Sequence, residues 1–140
     1  MIILDTNVIS ELLKETPNPA VVSWADSRSL SDLALTTITV YEVLYGLNRM
    51  PKGVRKARLV MAFDQTLRVD FKDRIQNFDH DAAVAAGRIA ADLDRVGRPR
   101  ASCDIQIAGI VSVTNSKLAT RNTRDFADMG IPLINPWEST

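Results

Sequence analysis

The sequence predicts a doubly wound α/β domain, and three observations predict it. Short apolar runs recur along the chain, at Ile2–Leu4, Leu33–Ile38, Lys117–Thr120 and Ile131–Ile134, each too short for a helix and of strand composition. Between them lie stretches whose apolar residues return every three or four positions, which is helical spacing. The 140 residues contain no repeat, low-complexity tract or linker, so residues 1–140 read as one domain with a sizeable core. Strands alternating with helices are accommodated by a parallel sheet covered on both faces.

Each element follows from local chemistry. Ile2-Ile3-Leu4 is a buried strand that opens through Asp5-Thr6-Asn7 into a helix carrying Val8, Ile9, Leu12 and Leu13. Thr16-Pro17-Asn18-Pro19 is a breaker whose prolines can start the next helix, where Ala20, Val21, Trp24 and Ala25 recur at helical spacing. Leu33–Ile38 is the second strand, and Thr39–Leu47 the helix after it. Met50-Pro51-Lys52-Gly53 ends that helix, and Val54–Leu67 resumes helical spacing. A short strand is expected near Ile75–Phe78. Asp79 opens the clearest helix, with Ala82, Ala86, Ile89, Leu93 and Val96 on one stripe, and Gly97-Arg98-Pro99 stops it. Ser102–Ser116 is apolar nearly all round and reads as a buried central helix. A strand at Lys117–Thr120, a helix from Asn122 to Met129 and a last strand at Ile131–Ile134 complete the order, closed by Asn135-Pro136-Trp137.

Composition bounds the function. The hydrophobic share is 46% and the charged share 24%, an ordinary globular balance, and the formal net charge is zero, so any polyanion-binding surface must be local. The one cysteine, Cys103, allows no internal disulfide and suits a reducing compartment. The one histidine, His80, argues against a zinc centre of imidazole and thiolate. No apolar segment approaches the ~20 residues that span a bilayer, and Asp5 interrupts any signal-peptide layout, so a cytoplasmic setting is expected.

The chemistry lies in the acids. Asp5 sits at the carboxyl end of the first strand, the edge where open parallel sheets bind ligands. Glu42 follows the second strand in Thr39-Val40-Tyr41-Glu42, which fits a capping box. Asp104 stands in the first turn of the apolar helix, and Asp125 lies three residues after Asn122, beyond the strand ending near Thr120. Helix capping alone would account for each. Together they would bring four acidic or amide side chains to one edge, where they repel unless a cation neutralises them. Oxygen donors without His or Cys select Mg²⁺ or Mn²⁺. Such an ion acidifies water and neutralises phosphate charge, which suits phosphodiester hydrolysis without a nucleophilic side chain. No histidine is placed to activate Ser or Cys, and no Gly-rich phosphate loop follows any strand.

These residues carry a family resemblance. Asp5-Thr6-Asn7, Glu42, Asp104, Thr120-Arg121-Asn122 and Asp125-Phe126 resemble the PIN-domain ribonucleases along the whole chain. The Asp-Thr-Asn-Val-Ile-Ser-Glu opening and the Asn135-Pro136-Trp137 ending resemble the VapC toxins, in particular their FitB-like branch. The resemblance implies a five-stranded parallel sheet, a Mg²⁺- or Mn²⁺-dependent endoribonuclease acting as a toxin, a homodimer, and a cognate antitoxin that blocks it. It also implies metal-binding roles for Asp5, Glu42 and Asp104, with Asn122 in the fourth catalytic position and Thr6, Asn7, Thr120 and Asp125 supporting them. Many relatives carry an acid where this chain has Asn122; Asp125 either takes that place or pins the loop.

A basic stretch fits an RNA substrate. From Val43 to Phe63 there are five basic residues, Arg49, Lys52, Arg55, Lys56 and Arg58, and no acid. Arg95, Arg98 and Arg100 approach Asp104 in sequence, and Arg121 and Arg124 flank Asn122. Of these, Arg49, Lys52, Arg55, Arg98 and Arg121 are the candidate RNA contacts. Tyr41, Tyr45 and Trp24 could stack bases, but their spacing favours core or dimer packing, with Leu44, Tyr45 and Leu47 as dimer contacts. Cys103 reads as a small buried residue, His80 as incidental, and Arg74 has no assigned role. Two rivals remain: a PIN-like module that only binds RNA or protein, and a phosphatase of the haloacid dehalogenase type. The latter needs a second acid where Asn7 stands.

Overall fold

A computed structural model describes residues 1–138. Five strands form one parallel sheet in the order β3-β2-β1-β4-β5: β1 (Ile2–Leu4), β2 (Leu33–Thr36), β3 (Ile75–Gln76), β4 (Lys117–Ala119) and β5 (Leu133–Ile134). Seven helices cover it among the described residues: α1 (Thr6–Leu12), α2 (Pro19–Asp26), α3 (Thr37–Asn48), α4 (Val54–Gln65), α5 (His80–Arg95), α6 (Ser102–Val113) and α7 (Thr123–Phe126).

The alternation of side chains along each strand sorts the core into two layers. Ile3, Ala34 and Leu118 are in register on one face, against α5 and α6 through Ala82, Ile89, Ile107, Ala108 and Val111. Ile2, Leu4, Leu33, Leu35 and Ala119 face the other way, toward Val8, Val21, Trp24, Val43 and Phe63 of α1 to α4. With both faces covered, the central strand β1 is apolar and buried throughout, as parallel sheets require. Burying Phe63 or Phe126 completely contributes on the order of 1.5–3 kcal/mol each.

Local signals set most boundaries. Asn18 caps α2 with Pro19 as its first residue, and Asp79 caps α5 through a 3.0 Å bond from the Ala82 N–H. Gly97 follows α5 at φ +70°, a conformation other residues resist. Where α5 and α6 cross, a β-carbon on Gly109 would lie 2.6 Å from the Ala82 carbonyl oxygen, so glycine is what allows the helices to touch.

Several expectations shift. β2 ends at Thr36 and α3 begins at Thr37, because Thr36 Oγ1 accepts the Thr39 N–H at 3.0 Å and makes Thr36 the cap. The capping box from Thr39 to Glu42 is therefore not formed; Glu42 is the sixth residue of α3. α4 stops at Gln65 and passes into a π turn, Thr66–Asp70. Val96 is 65% exposed because the stripe ends where α5 ends. α6 runs only to Val113, itself 40% exposed, and α7 spans four residues rather than eight. Trp24 is core, but Tyr41 and Tyr45 are exposed on α3, while Leu44 and Leu47 pack against the core. Arg74 gains a role: it donates to the Leu33 and Asp70 carbonyls and ties the turn before β3 to β2. Among the described residues no helix is long and apolar enough to cross a membrane.

Candidate active site

The chain leaves β1 toward β2 and β3 on one side, then returns to add β4 and β5 on the other. The carboxyl ends of β1 and β4 thus flank the point where the sheet reverses direction, the usual binding edge of such folds.

Asp5 stands there, 4% exposed. Its Oδ1 accepts the Thr6 N–H at 2.8 Å, so the capping role is real. Its Oδ2 accepts the Thr120 hydroxyl at 2.8 Å and the Asn7 amide at 3.2 Å. The Asp5 N–H reaches the Ala119 carbonyl at 2.9 Å and extends the β1–β4 ladder by one step. Burial pushes the Asp5 carboxyl above its ordinary range, its hydrogen bonds with Thr120 and Thr6 pull it back, and the charge of Glu42 adds to the rise.

Thr120, fully buried, also accepts the Asn122 N–H at 3.0 Å. Asn7 bridges the two turns: its amide nitrogen serves Asp5 and Thr120, and its oxygen accepts the Arg121 N–H at 3.2 Å. Thr6 turns toward α3, where its hydroxyl donates to Glu42 Oε1 at 2.6 Å and lies 3.2 Å from the buried Thr39 hydroxyl.

Asp104 is the third residue of α6, whose N-cap Ala101 has no side chain able to cap. Its carboxyl is pushed up to about 6 by burial first, then by the charges of Asp5, Asp125 and Glu42, against the pull of Arg100. The same field, after burial, raises the Cys103 thiol. Four acids from four elements thus feel one another, and Arg100 is the cation that opposes them at Asp104. Asp125 belongs to this field although it is exposed, whereas Asn122 is an exposed N-cap whose side chain caps no N–H.

Among the described residues no three His, Cys, Asp or Glu side chains form a ready-made metal cluster. An all-oxygen donor set of this kind fits a hard cation that keeps several waters and takes only one or two carboxylates directly.

The basic residues lie further out. Arg98 pairs with Asp128 at 3.0 Å, and Arg121 rests 5.2 Å over the Trp137 ring. Arg49 rests 5.3 Å over Tyr45, Lys52 is exposed in the α3–α4 turn, and Arg55 lines a cleft. That cleft, about 640 Å³, starts at Thr6 and Glu42 and runs between α1, α3 and α4 past Leu13, Val43, Leu47 and Leu59, with Lys14, Arg55 and Arg58 on its edges.

Three residues of the site's surroundings carry no such expectation from sequence. Thr39 is one of three threonines in four positions, with nothing local to say which hydroxyl meets Thr6. Arg100 donates to the Asp125 carbonyl at 3.2 Å and so sits near Asp104, a placement only hinted at by proximity in sequence. Glu11, 8% exposed, accepts from Lys14 Nζ and from the Asn18 N–H, both at 3.0 Å, joining α1 to the start of α2.

The family model for the PIN domain matches residues 2–132. Plasmid stability protein StbB of Pseudomonas syringae pv. tomato is 37% identical over 139 residues, covering 99% of this chain and 100% of the relative. The VapC ribonuclease Y4jK of Sinorhizobium fredii is 36% identical over 138 residues, 99% of each chain. The crystal structure of FitAcB from Neisseria gonorrhoeae superposes with a TM-score of 0.93 at 36% identity, covering 99% of this chain and 100% of that one.

Proposed function

The chain belongs to the PIN-domain family, and from that premise we propose that it is an endoribonuclease of the VapC type, the toxin of a toxin–antitoxin pair, with residues 1–140 as its single domain. The observation that carries this reading is the convergence of Asp5, Glu42 and Asp104, from three separate elements, at the binding edge, where Thr6 links Asp5 to Glu42 and the charges of both bear on Asp104 against the pull of Arg100. That arrangement costs stability in the metal-free chain, since Asp5 and Asp104 ionise against burial and the charge of neighbouring acids. A purely structural protein gains nothing from it.

Asp5, Glu42 and Asp104 would hold Mg²⁺ or Mn²⁺. When bound, the ion supplies Lewis acidity that acidifies water and offsets charge on the phosphodiester. The chain's own residues fix the geometry. Thr120 and Asn7 aim Asp5 Oδ2, and Thr6 orients Glu42. Asp125 adds negative charge next to Asp104, while Asn122 contributes none, which favours one ion over two. Arg49, Lys52, Arg55, Arg98 and Arg121 are the contacts available to RNA phosphates. An antitoxin segment laid in the cleft between α1, α3 and α4 would cover Glu42 and close the approach to the acids. The work is done in the cytoplasm, and the active form is a homodimer.

The test is RNA cleavage by the purified chain in Mn²⁺, alongside Asp5→Asn, Glu42→Gln and Asp104→Asn. Each variant is expected to lose cleavage while remaining folded; cutting at the parental rate by any one would remove that residue from the site. The neutral Asn122 and the lack of a ready-made cluster among the described residues favour one alternative, a catalytically weak module that binds RNA or protein. Calorimetric titration with Mn²⁺ separates the two: a nuclease shows heat that Asp5→Asn abolishes, and an inert module shows none.

A further inference from the structure

We propose that Tyr41, Tyr45 and Arg49 form a stacking subsite for the bases of single-stranded RNA, on the solvent face of α3 beside Glu42. The proposal rests on the ribonuclease reading and adds to it a place where the substrate's bases, rather than its phosphates, are held.

The three residues are spaced four apart, so they form one row along the helix, about 12 Å long at 1.5 Å per residue. Nothing in the core requires them. α3 is anchored from its other side by Thr39 and Val43, whereas Tyr41 and Tyr45 are 60% and 54% exposed. Their rings are 6.2 Å apart and inclined by only 25°, and the Arg49 guanidinium lies 5.3 Å over the Tyr45 ring. The row is therefore already ordered, two near-parallel π faces ending in a planar cation, which lowers the entropy lost when a base joins it. Among the described residues no carboxylate lies within ion-pair distance of Arg49.

Charge decides the occupant. Arg49 ends the row, and Lys52 is exposed in the turn just beyond it. A second copy of this chain docking through the row about a two-fold axis would bring two Arg49 charges into one interface. A polyanion with exposed bases meets the same surface with complementary charge and with rings to stack, the combination by which proteins hold unpaired strands. Tyr41 immediately precedes Glu42 in α3, so a strand whose bases lie on the row passes the acids without leaving the helix.

The experiment measures binding of a short, mixed-sequence single-stranded RNA carrying a fluorescent purine analogue, in EDTA so that nothing is cut. The chain is compared with a Tyr41→Ala, Tyr45→Ala double variant and a Tyr41→Phe, Tyr45→Phe double variant. The alanine variant is expected to bind about fivefold or more weakly and to lose the quenching that accompanies stacking, while the phenylalanine variant keeps both. In Mn²⁺ the alanine variant should raise KM and leave kcat nearly unchanged. Equal binding and quenching by the alanine variant would overturn the proposal. So would sedimentation in which that variant loses a dimer while affinity per protomer stays the same, since the row would then join copies. Failure of the parent chain to cut RNA in Mn²⁺ would instead count against the ribonuclease reading, so the two failures can be told apart.

Discussion

Thr6, the first residue of α1, donates a 2.6 Å hydrogen bond to Glu42 of α3, joining the end of the first strand to an acid 36 positions away. A hydroxyl so close to a carboxylate is charge-assisted and is worth on the order of 1.5–3 kcal/mol where water is partly excluded. It also decides where Glu42 points, because a glutamate on a helix has three rotatable bonds and no other partner among the hydrogen bonds of the described residues.

Thr6→Val keeps the shape of the side chain and removes the donor. It is expected to lower stability by about 1–2 kcal/mol and to weaken Mn²⁺ binding, while Thr6→Ser restores both. Thermal melting and calorimetric titration read the two effects. A valine variant that binds Mn²⁺ like the parent would show that Glu42 needs no guide.

The pH dependence of stability should carry the mark of Asp104. Its carboxyl titrates at about 6 in the fold against an ordinary 3.8. Below 3.8 it is neutral whether folded or not and costs nothing. As pH rises from 3.8 to about 6 the unfolded chain gives up this proton while the folded chain keeps it, so stability falls across that window and stays lower above it. In EDTA, Asp104→Asn should be more stable near neutral pH by on the order of 1–2 kcal/mol, after allowance for solvent screening. The gain should shrink to nothing below pH 3.8; a gain independent of pH would point to packing instead.

Glu11 has the opposite sign. The Lys14 and Asn18 hydrogen bonds hold its carboxyl below its ordinary 4.5, so the stability it supplies is present above that value and is lost as pH falls through the lower folded one. Glu11→Gln should therefore cost about 1 kcal/mol at neutral pH and close to nothing in acid. Denaturant titrations at the two extremes would measure the difference, and equal costs at both would refute the assignment.

Two glycines should respond in opposite directions. Gly109→Ala places a β-carbon 2.6 Å from the Ala82 carbonyl oxygen and should cost about 1–3 kcal/mol as α5 and α6 are pushed apart. Gly87, inside α5, has nothing within 4 Å of the same position, and Gly87→Ala should stabilise by about 0.5–1 kcal/mol. Unfolding midpoints in urea rank the pair, and a harmless Gly109→Ala would mean that the crossing has slack.

Much of this architecture is legible in the residues, because it follows from local pattern. The buried run Ile2-Ile3-Leu4, the cap at Asp79 and the stop at Gly97 each act within a few positions. Thr36, Thr37 and Thr39 show where local reading fails. All three favour strands and all three can cap, so the start of α3 depends on which hydroxyl the tertiary structure leaves free for the Thr39 N–H. Glu42 fits a capping box by spacing, yet its partner is a hydroxyl from another helix. Tyr41 and Tyr45 read as packing residues because aromatics usually are; only the orientation of α3 turns them outward. At the acids, the residue types that gather are evident from sequence, but the bonds from Thr120, Asn7 and Thr6 belong to turns far apart in the chain.

Trp137, near the end of the chain, carries the weight of Arg121, and the Arg121 backbone N–H meets the Asn7 oxygen two residues beyond Asp5. The turns that follow β1, β4 and β5 are thus sewn along a single seam. Trimming the tail ahead of Trp137, or crowding it with a fused tag, would tug on the aspartate through one peptide amide. A variant assayed with such an appendage would then misreport the chemistry of a residue it never touches.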